Sequence, residues 1–258
     1  MQSCPIEARG LTALLLLLLL GAVLTGTGAA DEDPAEAAYR AGSDALRSKN
    51  YRDAVTALER AAELRPKHRD TWLKLGISHS ALRNWDGAIE AYRRLIEIDP
   101  EHTKAHHNLG NVHFRRGDLE NAAIEYGKAL ELDPDYMLAA FHHGWMLRQL
   151  GRAEEAEQSF RLCLDLPADD PQALRTRVDC LFGLGSIRHR AGDYESSAQM
   201  MEQVLSVHRG HPEARYYLGM AYRQLGRIDE AERQLEIHRR MLSARREQPS
   251  SSGGPAER

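Results

Sequence analysis

The chain has 258 residues, 42 % of them hydrophobic and 28 % charged, with a formal net charge of −4. That is apolar enough for a packed core and excludes a disordered polypeptide. Acidic and basic residues are interspersed, which excludes the electrostatic footprint of a nucleic-acid binder.

In chain order, the first thirty residues stand apart from the rest. Arg9 precedes an apolar run from Leu11 to Leu24, with seven consecutive leucines from Leu14 to Leu20, followed by Gly28, Ala29, Ala30 and the acidic Asp31-Glu32-Asp33. A basic start, an apolar segment and a small-residue site predict a signal peptide over residues 1–30, cut after Ala30, and therefore export. An uncleaved membrane anchor is the alternative, because no charge occurs between Leu11 and Ala30 and a spanning helix needs ~20 residues. Cys4 lies before the apolar segment, whereas a lipoprotein signal places its cysteine after it, so no lipid anchor is expected.

Residues 31–245 are governed by a period. Glycines recur at Gly42, Gly76, Gly110 and Gly144, each 34 residues after the last, and again at Gly185 and Gly219; only the step from Gly144 to Gly185 is longer, at 41. Arg148-Gln149-Leu150-Gly151-Arg152 returns as Arg223-Gln224-Leu225-Gly226-Arg227. The units run over about 35–68, 69–102, 103–136, 137–170, 178–211 and 212–245. Trp72, Leu75, Gly76, Ala88, Tyr92 and Pro100 carry the pattern W-x-x-L-G-x-x-Y, A-x-x-x-F, P in the second unit, and Leu109, Gly110, Ala122, Tyr126 and Pro134 carry it in the third. On these residues the chain resembles the tetratricopeptide repeat family. The resemblance implies an all-α fold, a right-handed α-solenoid of six helix-turn-helix repeats.

Each position has a physical reason. A glycine in the first helix lets the second approach where a side chain would block it, and Ala54, Ala88, Ala122, Ala156 and Ala231 serve the facing helix in the same way. Pro66, Pro100 and Pro134 end the second helices, because proline lacks the amide hydrogen and disfavours a helical residue before it. The segment Pro167 to Pro171, with seven extra residues, lengthens the fourth connection and extends the next helix from Gln172 towards Arg190. The fifth unit is the least regular, with Ser197 in place of the small alanine and Arg188 in place of the aromatic. Cys163 and Cys180 are expected as two buried free thiols; an oxidising compartment would permit them to pair. Residues 246–258, rich in Ser, Gly and Pro, have no apolar face and are expected as a disordered tail.

In the family resembled, stacked first helices line a concave groove that receives a peptide or a partner helix. That frame turns Arg40, Arg47, Lys74, Asn108, Asn111, Arg115, His142, Trp145, Gln149 and Tyr216 inward as the candidate partner-binding groove. Trp72 and Trp85 fall on packing positions, whereas Trp145 occurs where the pattern demands no aromatic and offers apolar area with one polar handle. Basic Arg40, Arg47, Lys74 and Arg115 suit acidic segments or a terminal carboxylate. The carboxylate clamp of chaperone-binding relatives is not reproduced, because Asp179 and Gly183 stand where basic groups are required. The asparagine ladder of sugar-transferase relatives is reduced to Asn108.

Histidines gather at His102, His106, His107, His113, His142 and His143. The four-residue spacing of His102 and His106 suits two ligands on one helix face, but His106, His113 and His143 occupy packing positions, and no metal or other cofactor is assigned. Partly buried, these imidazoles would make binding sensitive to pH near 6. There is no G-x-S-x-G, P-loop or dinucleotide turn, and no catalytic residue is assigned. The sequence therefore predicts a non-enzymatic, exported scaffold or adaptor of a bacterial cell envelope, similar in size and repeat number to pilus-assembly pilotins, that binds a protein or peptide. A homo-oligomeric structural protein and a histidine-based metal or small-ligand carrier are the other readings.

Overall fold

The computed structural model describes residues 33–247, so the signal segment and most of the tail lie outside the described residues. Twelve helices follow one another there: α1 (Pro34–Arg47), α2 (Tyr51–Leu64), α3 (Arg69–Ala81), α4 (Trp85–Ile98), α5 (Thr103–Arg115), α6 (Leu119–Leu132), α7 (Met137–Gln149), α8 (Ala153–Asp165), α9 (Pro171–Arg190), α10 (Tyr194–Val207), α11 (Pro212–Gln224) and α12 (Ile228–Glu247). No helix of the described residues is long and apolar enough to cross a membrane. The chain forms two compact bodies, one up to Ser78 and one from His79.

Short polar residues start the helices by satisfying amide hydrogens that have no intrahelical partner. Asp33, Asn84, Asp118, Asp170 and Asp193 each accept a backbone N–H at the start of the helix they precede, and Pro34, Pro171 and Pro212 occupy the first turn, where a missing N–H costs nothing. Between the two helices of each unit the chain passes through one left-handed residue. Gly117, Gly151, Gly192 and Gly226 hold this place with φ near +80°, and Lys49 (φ 60°) and Arg83 (φ 57°) hold it in the first two units. The turn closes with the hydrogen bonds of a helix C-terminus, as where Gly117 donates to the Phe114 carbonyl (2.9 Å) and Asp118 to that of His113 (2.9 Å). The second helices α2, α4 and α6 stop at Leu64, Ile98 and Leu132, each two residues before the prolines.

In the first body α1 packs on α2. A Cβ on Gly42 would lie 2.6 Å from the Leu58 side chain, so the glycine is what admits that leucine. Ala54, Leu58, Ala61 and Leu75 are buried, Arg65 pairs with Asp33 and Glu36, and Trp72 donates from Nε1 to the Pro66 carbonyl (2.7 Å).

The second body repeats the same contact. Gly110 sits under the Tyr126 ring and Gly144 under the Phe160 ring, each 2.9 Å from where a Cβ would stand. Tyr126, Phe160, Met146, Leu147 and Leu184 form one buried cluster; Met201, Val204, Leu218 and Tyr222 form a second. The fifth unit's departures are accommodated: Ser197 is fully buried, and Arg188 pairs with Glu157 of α8 and Asp193 of the following turn. The extra residues become helix, giving α9 twenty residues against thirteen in α7.

One expectation is overturned. Cys163 of α8 and Cys180 of α9 are buried but not free: they are joined in a disulfide. Cys180 lies five residues before Gly185, where α7 has Ala139 before Gly144, so the bond joins regular packing positions of successive units, which cysteine spacing alone does not reveal.

Candidate functional site

In the first body the basic candidates are engaged locally. Lys74 donates its ammonium protons to the Tyr39 hydroxyl (2.7 Å) and the Ser43 hydroxyl (2.8 Å) and lies 4.2 Å over the Tyr39 ring. Arg47 is exposed and pairs with Asp44 at 3.2 Å, and Arg40 is exposed on the same helix.

In the second body α5 and α7 bring several candidates together. His142 stacks on Tyr126 (5.1 Å between centroids, 18° between planes) and approaches His107 (5.4 Å) and Phe141 (5.0 Å). Asn111 accepts a hydrogen bond from the Tyr126 hydroxyl at 2.8 Å, so this amide is committed to holding the ring. Asn108 is half-buried, and the Asn111 amide nitrogen lies 3.4 Å from Nδ1 of His107. Trp145 packs partly against the buried cluster, with Phe141 at 6.1 Å and the Arg148 guanidinium 4.1 Å over its ring. Arg115 and Gln149 are exposed at the helix ends. Tyr216 of α11 is 42 % exposed and touches Tyr217 and His238.

Among the clustered histidines, burial lowers the pKa of His107, His113, His142 and His143. Burial, reinforced by the neighbouring His107, pushes His142 down to about 4. Sensitivity near pH 6 is thus replaced, for His142, by protonation in a distinctly acidic range. Nor do the ring nitrogens converge as ligands. His102 accepts the Ala105 amide as the cap of α5, while His106 faces Glu125 (2.7 Å) and the Pro100 carbonyl (3.1 Å). Burial would raise the Glu125 carboxyl, but hydrogen bonds from His106 and Lys128 outweigh it and hold the group below its ordinary value. Among the described residues, no three His, Cys, Asp or Glu side chains form a metal-holding group.

In the sequence Arg148 stands out only as part of a recurring segment, and His189 does not stand out. Arg148 reaches from α7 to the Ser186 hydroxyl of α9, and His189 of α9 packs edge-on against Tyr217 of α11. Helical spacing was the available signal, because Arg148 lies three residues after Trp145 and so shares its face.

Helix pairs with a glycine under a large facing side chain, left-handed turns at a fixed place and small residues opposite define a helical repeat protein of interaction-scaffold type. The chain belongs to the tetratricopeptide repeat family: the family pattern matches residues 39–103, 73–136 and 107–172, and a second pattern of the same description matches 189–239. Protein O-mannosyl-transferase TMTC2 of Mus musculus is 33 % identical over 89 residues, which are 32 % of this chain and 11 % of the mouse protein. The chain thus spans only about a tenth of that relative's length. Among solved structures, YrrB, described as a TPR protein with an unusual peptide-binding site, is 19 % identical with a TM-score of 0.63, covering 73 % of this chain and 93 % of its own. PilW, described as a widely conserved type IV pilus biogenesis factor, is 21 % identical with a TM-score of 0.57, covering 78 % and 90 %. At these identities the two structures share the fold. Arrays of this kind are typically non-catalytic and bind protein or peptide partners.

Proposed function

We propose that this chain is an exported scaffold or adaptor that binds a peptide or protein segment along the first-helix face of its second body, in cell-envelope assembly. The observation that carries the reading is the layer of rings that α5, α7, α9 and α11 present side by side: His107, His142, Phe141 and Trp145, then Phe182 and Tyr217. Most of these rings are half-buried, and the histidines, Trp145 and Tyr217 carry polar atoms; such rings give large contact area at low entropic cost, the composition of interface anchors. The disulfide supports export, since such bonds persist in oxidising compartments. Similarity to a peptide-binding protein and to a pilus biogenesis factor supports the partner class and the envelope setting.

The reading is tested by placing a photo-crosslinking residue at Gln149 or Tyr216 on the first-helix face and at exposed Ile124 on a second helix. Capture of one partner from the first two positions and not the third supports it. Capture only from Ile124, or none from any position, removes it.

A further inference from the structure

The half-buried arginines of the second body have strong acceptors at their terminal nitrogens, with one exception, although the Nε of Arg215, like that of Arg148, is buried without one. Arg188 pairs with Glu157 and Asp193. Arg177 donates to the Leu166 carbonyl, and Arg215 to the Arg209 carbonyl and the Gln234 side chain. Arg148 makes a single hydrogen bond, 3.3 Å from Nη1 to the Ser186 hydroxyl, whose own proton goes to the Gly183 carbonyl. Its Nε is shut off from solvent with no acceptor, and no described residue accepts from Nη2. No carboxylate offsets its charge: burial pulls its pKa down, and the other groups acting on it are Tyr217 and Arg190. Beside it, Nδ1 of His189 is also buried without a partner. The Arg148 charge, with one long hydrogen bond, no acceptor at Nη2 among the described residues and no carboxylate beside it, is left for an acceptor from outside the chain.

We infer that Arg148 is a carboxylate-binding site, taking a carboxylate of a peptide partner on a guanidinium held over the Trp145 ring. The planar fork of arginine matches a carboxylate's two oxygens, and the Trp145 ring, 4.1 Å from its central carbon, holds it in place. Ser186 steadies it from α9, and the adjacent Phe141 and Trp145 rings provide an apolar shelf for the residue next to the carboxylate. Arg190 adds positive charge, so the surroundings favour an anion. This inference rests on the peptide-binding reading above and names the chemistry that reading left open.

The test selects binders from a synthetic library of short random peptides, prepared with free and with amidated C-termini, on the chain lacking its signal segment and on its Arg148→Gln and Arg148→Lys variants. The wild type should enrich peptides with a carboxylate at one fixed place. Arg148→Gln should bind those peptides about ten- to a hundredfold more weakly and lose the preference, while still selecting apolar peptides. Arg148→Lys keeps the charge without the fork; it should fall between the two and supplies the readout if the glutamine variant loses helicity by circular dichroism. Preference surviving amidation assigns the carboxylate to Asp or Glu; preference lost on amidation assigns it to the C-terminus. Enriched peptides without a carboxylate, bound equally by all three proteins, would overturn the Arg148 assignment and leave the binding face standing. No enrichment at all would overturn both.

Discussion

A glycine under an aromatic ring and a glycine in a left-handed turn respond differently to one added methyl group. At Gly144 a Cβ would meet the Phe160 ring at 2.9 Å and the Ala156 carbonyl at 3.2 Å; the ring has little room and the carbonyl none, so Gly144→Ala should destabilise by about 1–3 kcal/mol. At Gly117 a Cβ meets nothing within 4 Å, and Gly117→Ala should cost about 1 kcal/mol through its φ of +81° alone. Urea midpoints of the two variants measure both. His142 makes a separate prediction. Its folded pKa is depressed, so the unfolded chain binds its proton first, and stability should fall as pH drops from about 6.5 towards 4, by roughly 3 kcal/mol from this residue. His142→Leu should flatten that part of the stability–pH curve; an unchanged curve would mean the imidazole is not buried neutral. The glycines and alanines were legible in the sequence because a strict period allows only one reading of a small residue. Arg148 was not: it lies in a segment that recurs almost verbatim at Arg223, so it read as scaffold. Its lack of acceptors depends on side chains from two other helices that no spacing within α7 can report.

At the scale of elements, the insertion is where sequence and structure part. That it would lengthen the following helix could be read from Asp170-Pro171, an N-cap and a first-turn proline; that Cys163 and Cys180 would meet could not, because their alignment depends on how α9 lies against α8. The Asp170 carboxylate accepts the Gln172 (2.7 Å) and Ala173 (2.9 Å) amides, and Asp170→Ala should cost about 1 kcal/mol. The disulfide closes a loop of 17 residues, and its reduction, or Cys163→Ala with Cys180→Ala, should lower unfolding free energy by about 3 kcal/mol. Equal denaturation curves with and without reductant would show that α8 and α9 hold together by packing alone.

For the whole molecule, stability in a repeat array is close to a sum over units and their nearest neighbours, so local changes stay local. α12, the longest second helix at 20 residues, leaves Ile237 and Leu242 partly exposed. If these residues join copies of the chain, Ile237→Glu with Leu242→Glu should lower the mass seen by light scattering; a mass already that of one chain removes self-association. Export makes its own prediction, that protein recovered from cells begins at Asp31. The family pattern made the array visible from sequence, whereas its partner is written in side chains the pattern leaves free.

The six turns between paired helices ask for the same left-handed backbone, yet only four of them have glycine. Lys49 and Arg83 occupy the other two and bear a steric strain their counterparts escape. Both are exposed, and neither is among the rings proposed to meet a partner. Lys49→Gly and Arg83→Gly should therefore each raise stability by about 0.5 kcal/mol, the relief of strain exceeding the entropy that glycine adds to the unfolded chain. The protein thus carries two sites for thermal hardening, visible by comparing its turns with one another, at which its robustness can be raised while its recognition chemistry is left alone.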